Sequence, residues 1–126
     1  MINESEIYAR IGFDGFDRLI TEFYNFVRTD DILKPLYPEH DMEGAKNRLR
    51  DFMIQRFGGP FTYSEQRGHP RLRMRHSPFV IGTAERDRWL ELMSNAMTLA
   101  NIEPDVRETL TPYFISTANQ MMNSDR

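Results

Sequence analysis

Tyr63-Ser-Glu-Gln-Arg-Gly-His-Pro-Arg-Leu-Arg-Met-Arg-His76-Ser-Pro-Phe79 gathers more unusual residues than any other stretch of the chain. It follows the breaker Gly58-Gly59-Pro60 and holds two of the three histidines. Arg67, Arg71, Arg73 and Arg75 stand in it with no acid between Arg67 and His76, although the chain as a whole carries a net charge of −3. So dense a local positive charge on an acidic chain points to an anionic group held here.

Pro70 and Pro78 fence the run from Arg71 to Ser77, which leaves room for about two helical turns. His76 therefore ends a short, bounded segment. A histidine so placed presents one imidazole nitrogen to a fixed point while a carbonyl orients the other, which is how a single axial metal ligand is held. The arginines are then placed to meet carboxylates of the same ligand. An axial histidine, cations for carboxylates and an apolar cavity together describe a haem site. Taken singly, each feature has a plainer reading: a histidine beside proline is more often structural, and an arginine run is more often a solvated face or a nucleic-acid patch. The rest of the chain decides between them.

Its length of 126 residues suits one domain, 1–126, with a substantial core. The acidic balance argues against a general binder of nucleic acid or of anionic membranes. With no cysteine there is no disulfide, thiolate chemistry or iron–sulfur cluster, which fits a reducing cytosol. Met1-Ile-Asn-Glu-Ser-Glu lacks the basic and apolar regions of a signal peptide, and no apolar run approaches membrane-spanning length. A soluble, cytoplasmic protein is expected.

Apolar residues recur at helical spacing almost throughout. A short helix is predicted from Glu4 to Ile11, ended by Gly12, and a second from about Asp14 to Thr29 on the stripe Phe16, Leu19, Ile20, Phe23, Tyr24 and Val27. Asp30 to Pro38 reads as a helical turn closed by Pro35 and Pro38, with Tyr37 held between them. Asp41 is placed to cap a third helix to about Phe57, whose face is Met42, Ala45, Leu49, Phe52 and Met53, flanked by Arg48. Thr83 is placed to cap the strongest helix, to about Ala100, on Trp89, Leu92, Met93 and Ala96. The last helix starts near Pro104 and carries Val106, Leu110, Tyr113, Phe114, Ala118 and Met121. No segment alternates at period two, so the fold class is all-α. Eight methionines and nine phenylalanines on such faces make an ordinary core, or equally a cavity that adapts to a large flat ligand.

With Gly58-Gly59-Pro60 before the central stretch and Arg88-Trp89-Leu90 after it, the chain resembles a truncated haemoglobin of the second group. Phe23-Tyr24, Tyr37-Pro38, Gly44-Ala45 with Arg48-Leu49, and Met122-Asn123-Ser124 carry the resemblance from about Tyr8 to Asn123. It implies a two-over-two helical sandwich around haem b, with His76 as the proximal ligand to iron. It implies a distal side of Tyr24, Tyr37 and Trp89, with Ala45 where larger globins often carry a distal histidine. Leu49, Phe52 and Met53 match the apolar distal wall, while Arg48, Tyr63 and Arg75 match positions that reach the haem propionates. The chain departs from the pattern twice: Gly12 and Gly15 are separated where relatives often have adjacent glycines, and Phe57 stands where many have tryptophan.

Dioxygen on ferrous haem carries partial negative charge, which hydroxyl and indole N–H donors stabilise better in a dry pocket than in water. The expected function is therefore haem and dioxygen binding, extending to other diatomic ligands, with slow release. The resemblance leaves open a redox enzyme on the same haem, oxidising nitric oxide or acting with peroxide and served by a reductase. The residues alone also permit a haem-free helical domain whose arginines contact RNA or a protein. The oligomeric state is open. Of the three histidines, His40 lies in a polar loop and His69 outside the fenced segment, so only His76 is expected to hold haem. His76→Ala should lose the Soret band and the ~3–4 kcal/mol of stability that a ligand contributes at several hundred times its dissociation constant. His40→Ala and His69→Ala should keep both, as absorption spectra and thermal melts will show.

Overall fold

The computed structural model describes residues 2–68 and 80–123. Residues 69–79 lie outside the described residues, and with them His69, Arg71, Arg73, Arg75, His76 and the short fenced segment expected there.

Every regular element among the described residues is helical. Helix α1 spans Ile7–Val27, α2 Met42–Arg56, α3 Thr62–Arg67, α4 Thr83–Leu99 and α5 Pro104–Met121, with single 3-10 turns at Glu4–Glu6, Lys34–Leu36 and Glu39–Asp41. The packing is two pairs laid one over the other: α1 on α2, α4 on α5, with α1 also resting on α4. This is the two-over-two sandwich expected. Among the described residues no helix is long and apolar enough to cross a membrane.

The apolar stripe of α1 explains why that helix is central. Phe16, Leu19, Ile20, Phe23 and Val27 are completely buried, because their three- and four-residue spacing puts them on one face. Gly12 interrupts the helix where the sequence predicts a break, with φ of +66°. Gly15 takes no part in the turn and is helical. One glycine therefore suffices for the corner. Phe57 is wholly buried, stacked 6.2 Å from Phe16 and set edge-on 4.9 Å from Tyr113, so the smaller ring fills its site. Its carbonyl accepts a hydrogen bond from the Tyr8 N–H at 2.9 Å, tying the end of α2 to the start of α1.

Two caps differ from expectation. Asp41 does precede α2, but its side chain makes no capping bond and turns to Arg48 at 3.1 Å, since a guanidinium about two turns further on is a stronger partner than an amide N–H. Gly82, not Thr83, precedes α4, and the Glu85 carboxylate reaches back to accept from the Gly82 N–H at 2.7 Å. Pro104 occupies the first turn of α5 as predicted.

Glycines 12 and 58 both have positive φ, +66° and +100°, for different reasons. A β-carbon on Gly12 would meet nothing, whereas one on Gly58 would run into the Ser5 carbonyl oxygen. Gly12, with ψ of −175°, sits in a backbone region open essentially to glycine alone, so Gly12→Ala should cost only that strain, about 1–3 kcal/mol. Gly58→Ala should cost clearly more, because the rigid neighbour must also move. Urea titrations of the two variants will rank them.

Candidate functional site

A cavity of about 310 Å³ opens between the two helical pairs, at the lower end of the range for small-molecule and cofactor pockets. Each wall is one helical face. From α2 come Ala45, Arg48, Leu49, Phe52 and Met53, spaced as a single stripe. From α4 come Arg86, Trp89 and Met93, and from α5 Tyr113, Phe114, Thr117, Ala118 and Met121. Tyr24 enters from α1, Tyr37 from the turn after it, and Tyr63 from α3. The structure thus brings together on one cavity every site residue named from the sequence that it describes; His76 and Arg75 lie outside the described residues. His40 is exposed and takes no part in the lining.

Three of the polar groups in the lining are Tyr24, Tyr37 and Trp89. Tyr24 is only 3% exposed, and its ring stands edge-on to Tyr37 at 5.4 Å. Trp89 is wedged between Phe23 at 5.4 Å and Phe114 at 5.6 Å, both edge-on, so the plane of its indole is set by packing. Burial raises the Tyr37 phenol to about 12, opposed by a hydrogen bond from Trp89. Burial also raises Tyr24 well beyond the ordinary phenol range, with Tyr37 adding to the shift and Arg48 countering it. Both tyrosines are therefore neutral donors at any physiological pH.

Two cations stand among the lining residues. Arg48 is held by Asp41 at 3.1 Å and is about one-third exposed. Arg86, which the sequence reading passed over, contacts Asp87 at 2.9 Å and the Asn119 amide oxygen at 3.2 Å. Its signal was available, because Arg86 lies three residues before Trp89 and so shares its face. Tyr63 is buried against Phe52, their rings 5.5 Å apart. An apolar slot with Leu49, Phe52, Met53, Met93 and Phe114 in its walls, and two guanidiniums and three donors in its lining, fits a flat apolar macrocycle bearing carboxylates.

The turn that delivers Tyr37 hangs on Asp30, a carboxylate buried at 5% exposure just after α1. Its Oδ2 accepts from the Leu33 N–H at 2.9 Å and the Ile32 N–H at 3.2 Å, while Oδ1 accepts from Arg88 Nε at 2.5 Å. Burial pushes the Asp30 carboxyl up, yet the Leu33 N–H and Arg88 together outweigh it and hold the group below its ordinary value.

Raised phenols carry a pH consequence with a definite sign. A tyrosine whose folded value lies above 10.0, its ordinary one, contributes stability that is complete below pH 10 and is lost as pH rises through the folded value. Alkaline unfolding should therefore set in between pH ~10 and ~12, and Tyr24→Phe or Tyr37→Phe should flatten that limb. Tyrosinate absorbance recorded beside helicity will show the two phenols ionising only with unfolding.

A family model of bacterial-like globins matches residues 6–123. A group 2 truncated hemoglobin of Bacillus subtilis is 38% identical over 116 residues, covering 92% of this chain and 87% of that one. Among solved structures, the hemoglobin of the thermophilic phototroph Chloroflexus aurantiacus superposes with a TM-score of 0.90 at 48% identity, covering 94% of this chain and 98% of that one. The truncated oxygen-avid haemoglobin of Bacillus subtilis superposes with a TM-score of 0.87 at 37% identity, covering 92% and 98%.

Proposed function

The chain belongs to the bacterial-like globin family, within its group II truncated haemoglobins, and on that premise we propose that it holds haem b through His76 and uses Tyr24, Tyr37 and Trp89 to retain dioxygen. The observation that carries this reading is the meeting of three N–H and O–H donors, Tyr24, Tyr37 and Trp89, in the lining of a mostly apolar cavity. The bound group supplies the ferrous iron at which a diatomic gas is taken up.

Everything else is the work of the chain. A dioxygen molecule in this slot meets donors and little water, so each hydrogen bond to its partial negative charge gains more than it would in solvent. Tyr24 and Tyr37 stay protonated and rotate their hydroxyls, while Trp89 offers an N–H whose direction its neighbours fix. Ala45 leaves space where an imidazole would stand. Arg48, Arg75 and Tyr63 would hold the propionates. Slow release follows from the donor set and suits sensing, scavenging or redox chemistry in the cytoplasm better than rapid delivery. A reductase that keeps the iron ferrous is the partner this implies. The oxygen-avid character of the Bacillus subtilis relative supports the same reading.

Purified protein should show a Soret band that shifts on reduction under carbon monoxide; no band after haem is offered would overturn the proposal. Trp89→Phe keeps the ring and deletes the donor, at about the value of one charge-assisted hydrogen bond, ~1.5–3 kcal/mol. Stopped-flow dioxygen release should therefore quicken roughly ten- to a hundredfold. Tyr24→Phe or Tyr37→Phe alone should do less, since the surviving hydroxyl reorients. If a tyrosine variant releases faster while Trp89→Phe matches the unaltered protein, the indole serves only as packing.

A further inference from the structure

Asp30 and Arg88 lie outside the cavity lining, yet their ion pair joins two of the elements that bring donors into it, the turn of Tyr37 and the helix of Trp89. On one side, Asp30 Oδ2 gathers the Ile32 and Leu33 N–H groups. The Asp30 carbonyl accepts from Lys34 N–H at 2.9 Å, and the Lys34 carbonyl from Tyr37 N–H at 3.2 Å. Leu33, Leu36 and Tyr37 are the cavity residues of this turn. On the other side, Oδ1 grips Arg88 Nε, one residue before Trp89 on α4. Arg88 points about 100° away from Trp89 around the helix, so it reaches the turn while the indole faces the cavity. Asp30 is also anchored to the end of α1 through its own N–H to the Val27 carbonyl at 3.1 Å.

We propose that the Asp30–Arg88 pair positions the distal donors, locking α4 to the turn so that the Trp89 N–H and the Tyr37 hydroxyl hold one fixed relation to a bound ligand. The inference rests on the function proposed above. Apolar packing between helices tolerates small slides, whereas a carboxylate committed in two directions does not. An ion pair with one buried partner is also weak evidence for net stability, because desolvation of Asp30 offsets the attraction; orientation is what this one supplies. The second contact of Arg88, to Glu91 at 3.0 Å, is exposed and screened.

The test is a double-mutant cycle. Arg88→Leu should speed dioxygen release roughly three- to tenfold, the size expected for coupled neighbours in one network. In a Trp89→Phe background the same change should add clearly less, the remainder passing through Tyr37, whereas a merely structural role would add its full factor. Arg88→Lys should recover part of the effect and Glu91→Gln should leave release unchanged. Asp30→Asn, which keeps volume, repeats the cycle should Arg88→Leu fail to fold. Because Trp89 is the sole tryptophan, its indole N–H gives one resolvable signal. Hydrogen exchange of that proton should quicken in Arg88→Leu and Asp30→Asn, with or without haem. A protein with no Soret band would sink the function proposed above and leave this inference to the exchange measurement alone. Multiplicative release rates in the cycle, or an unchanged indole exchange rate, would overturn it.

Discussion

A continuous file of rings runs through the molecule and fixes both its core and its site. Tyr8, Phe16, Phe57, Tyr113, Phe114, Trp89, Phe23, Tyr24 and Tyr37 follow one another with centroids 4.9–6.4 Å apart, mostly edge-on. Such contacts add about 0.5–1.5 kcal/mol each beyond the area they bury, and they are directional. The file starts beside the Gly12 break, crosses from α1 to the end of α2, passes along α5 to α4 and returns to α1. Each helix pair is thereby keyed to the other through ring planes, and Trp89, Tyr24 and Tyr37, the three proposed donors, lie in its final stretch. The site is the end of the core where hydroxyl and N–H groups replace apolar edges.

That continuity explains what was legible in the sequence. Stripes such as Phe16-Leu19-Ile20-Phe23-Val27 are set by helical periodicity alone, so the long helices and the break at Gly12 could be read directly. The cavity walls were legible for the same reason, since Ala45, Leu49, Phe52 and Met53 are a helical face before they are a pocket. Side chains with several partners were not legible. Asp41 had a choice between amides of its own helix and Arg48, and Gly82 is capped by a carboxylate three residues on. Asp30 and Arg88 are 58 residues apart, and no local pattern announces their meeting. Arg86 was overlooked although its spacing to Trp89 gave it away.

A cavity on this scale in so small a chain has a thermodynamic consequence. The cavity of about 310 Å³ has mostly apolar walls, and its shape is set by ring packing and by the fixed directions of a few polar contacts. A group that fills it stabilises the folded state in proportion to the logarithm of its concentration over its dissociation constant. Folding and occupancy are one linked equilibrium, in which the rings hold the shape and the filler supplies the missing contacts. The donors on the wall gain from the same geometry: once the slot is filled, water is displaced, and an N–H or O–H that water had satisfied is left to the small ligand beside it.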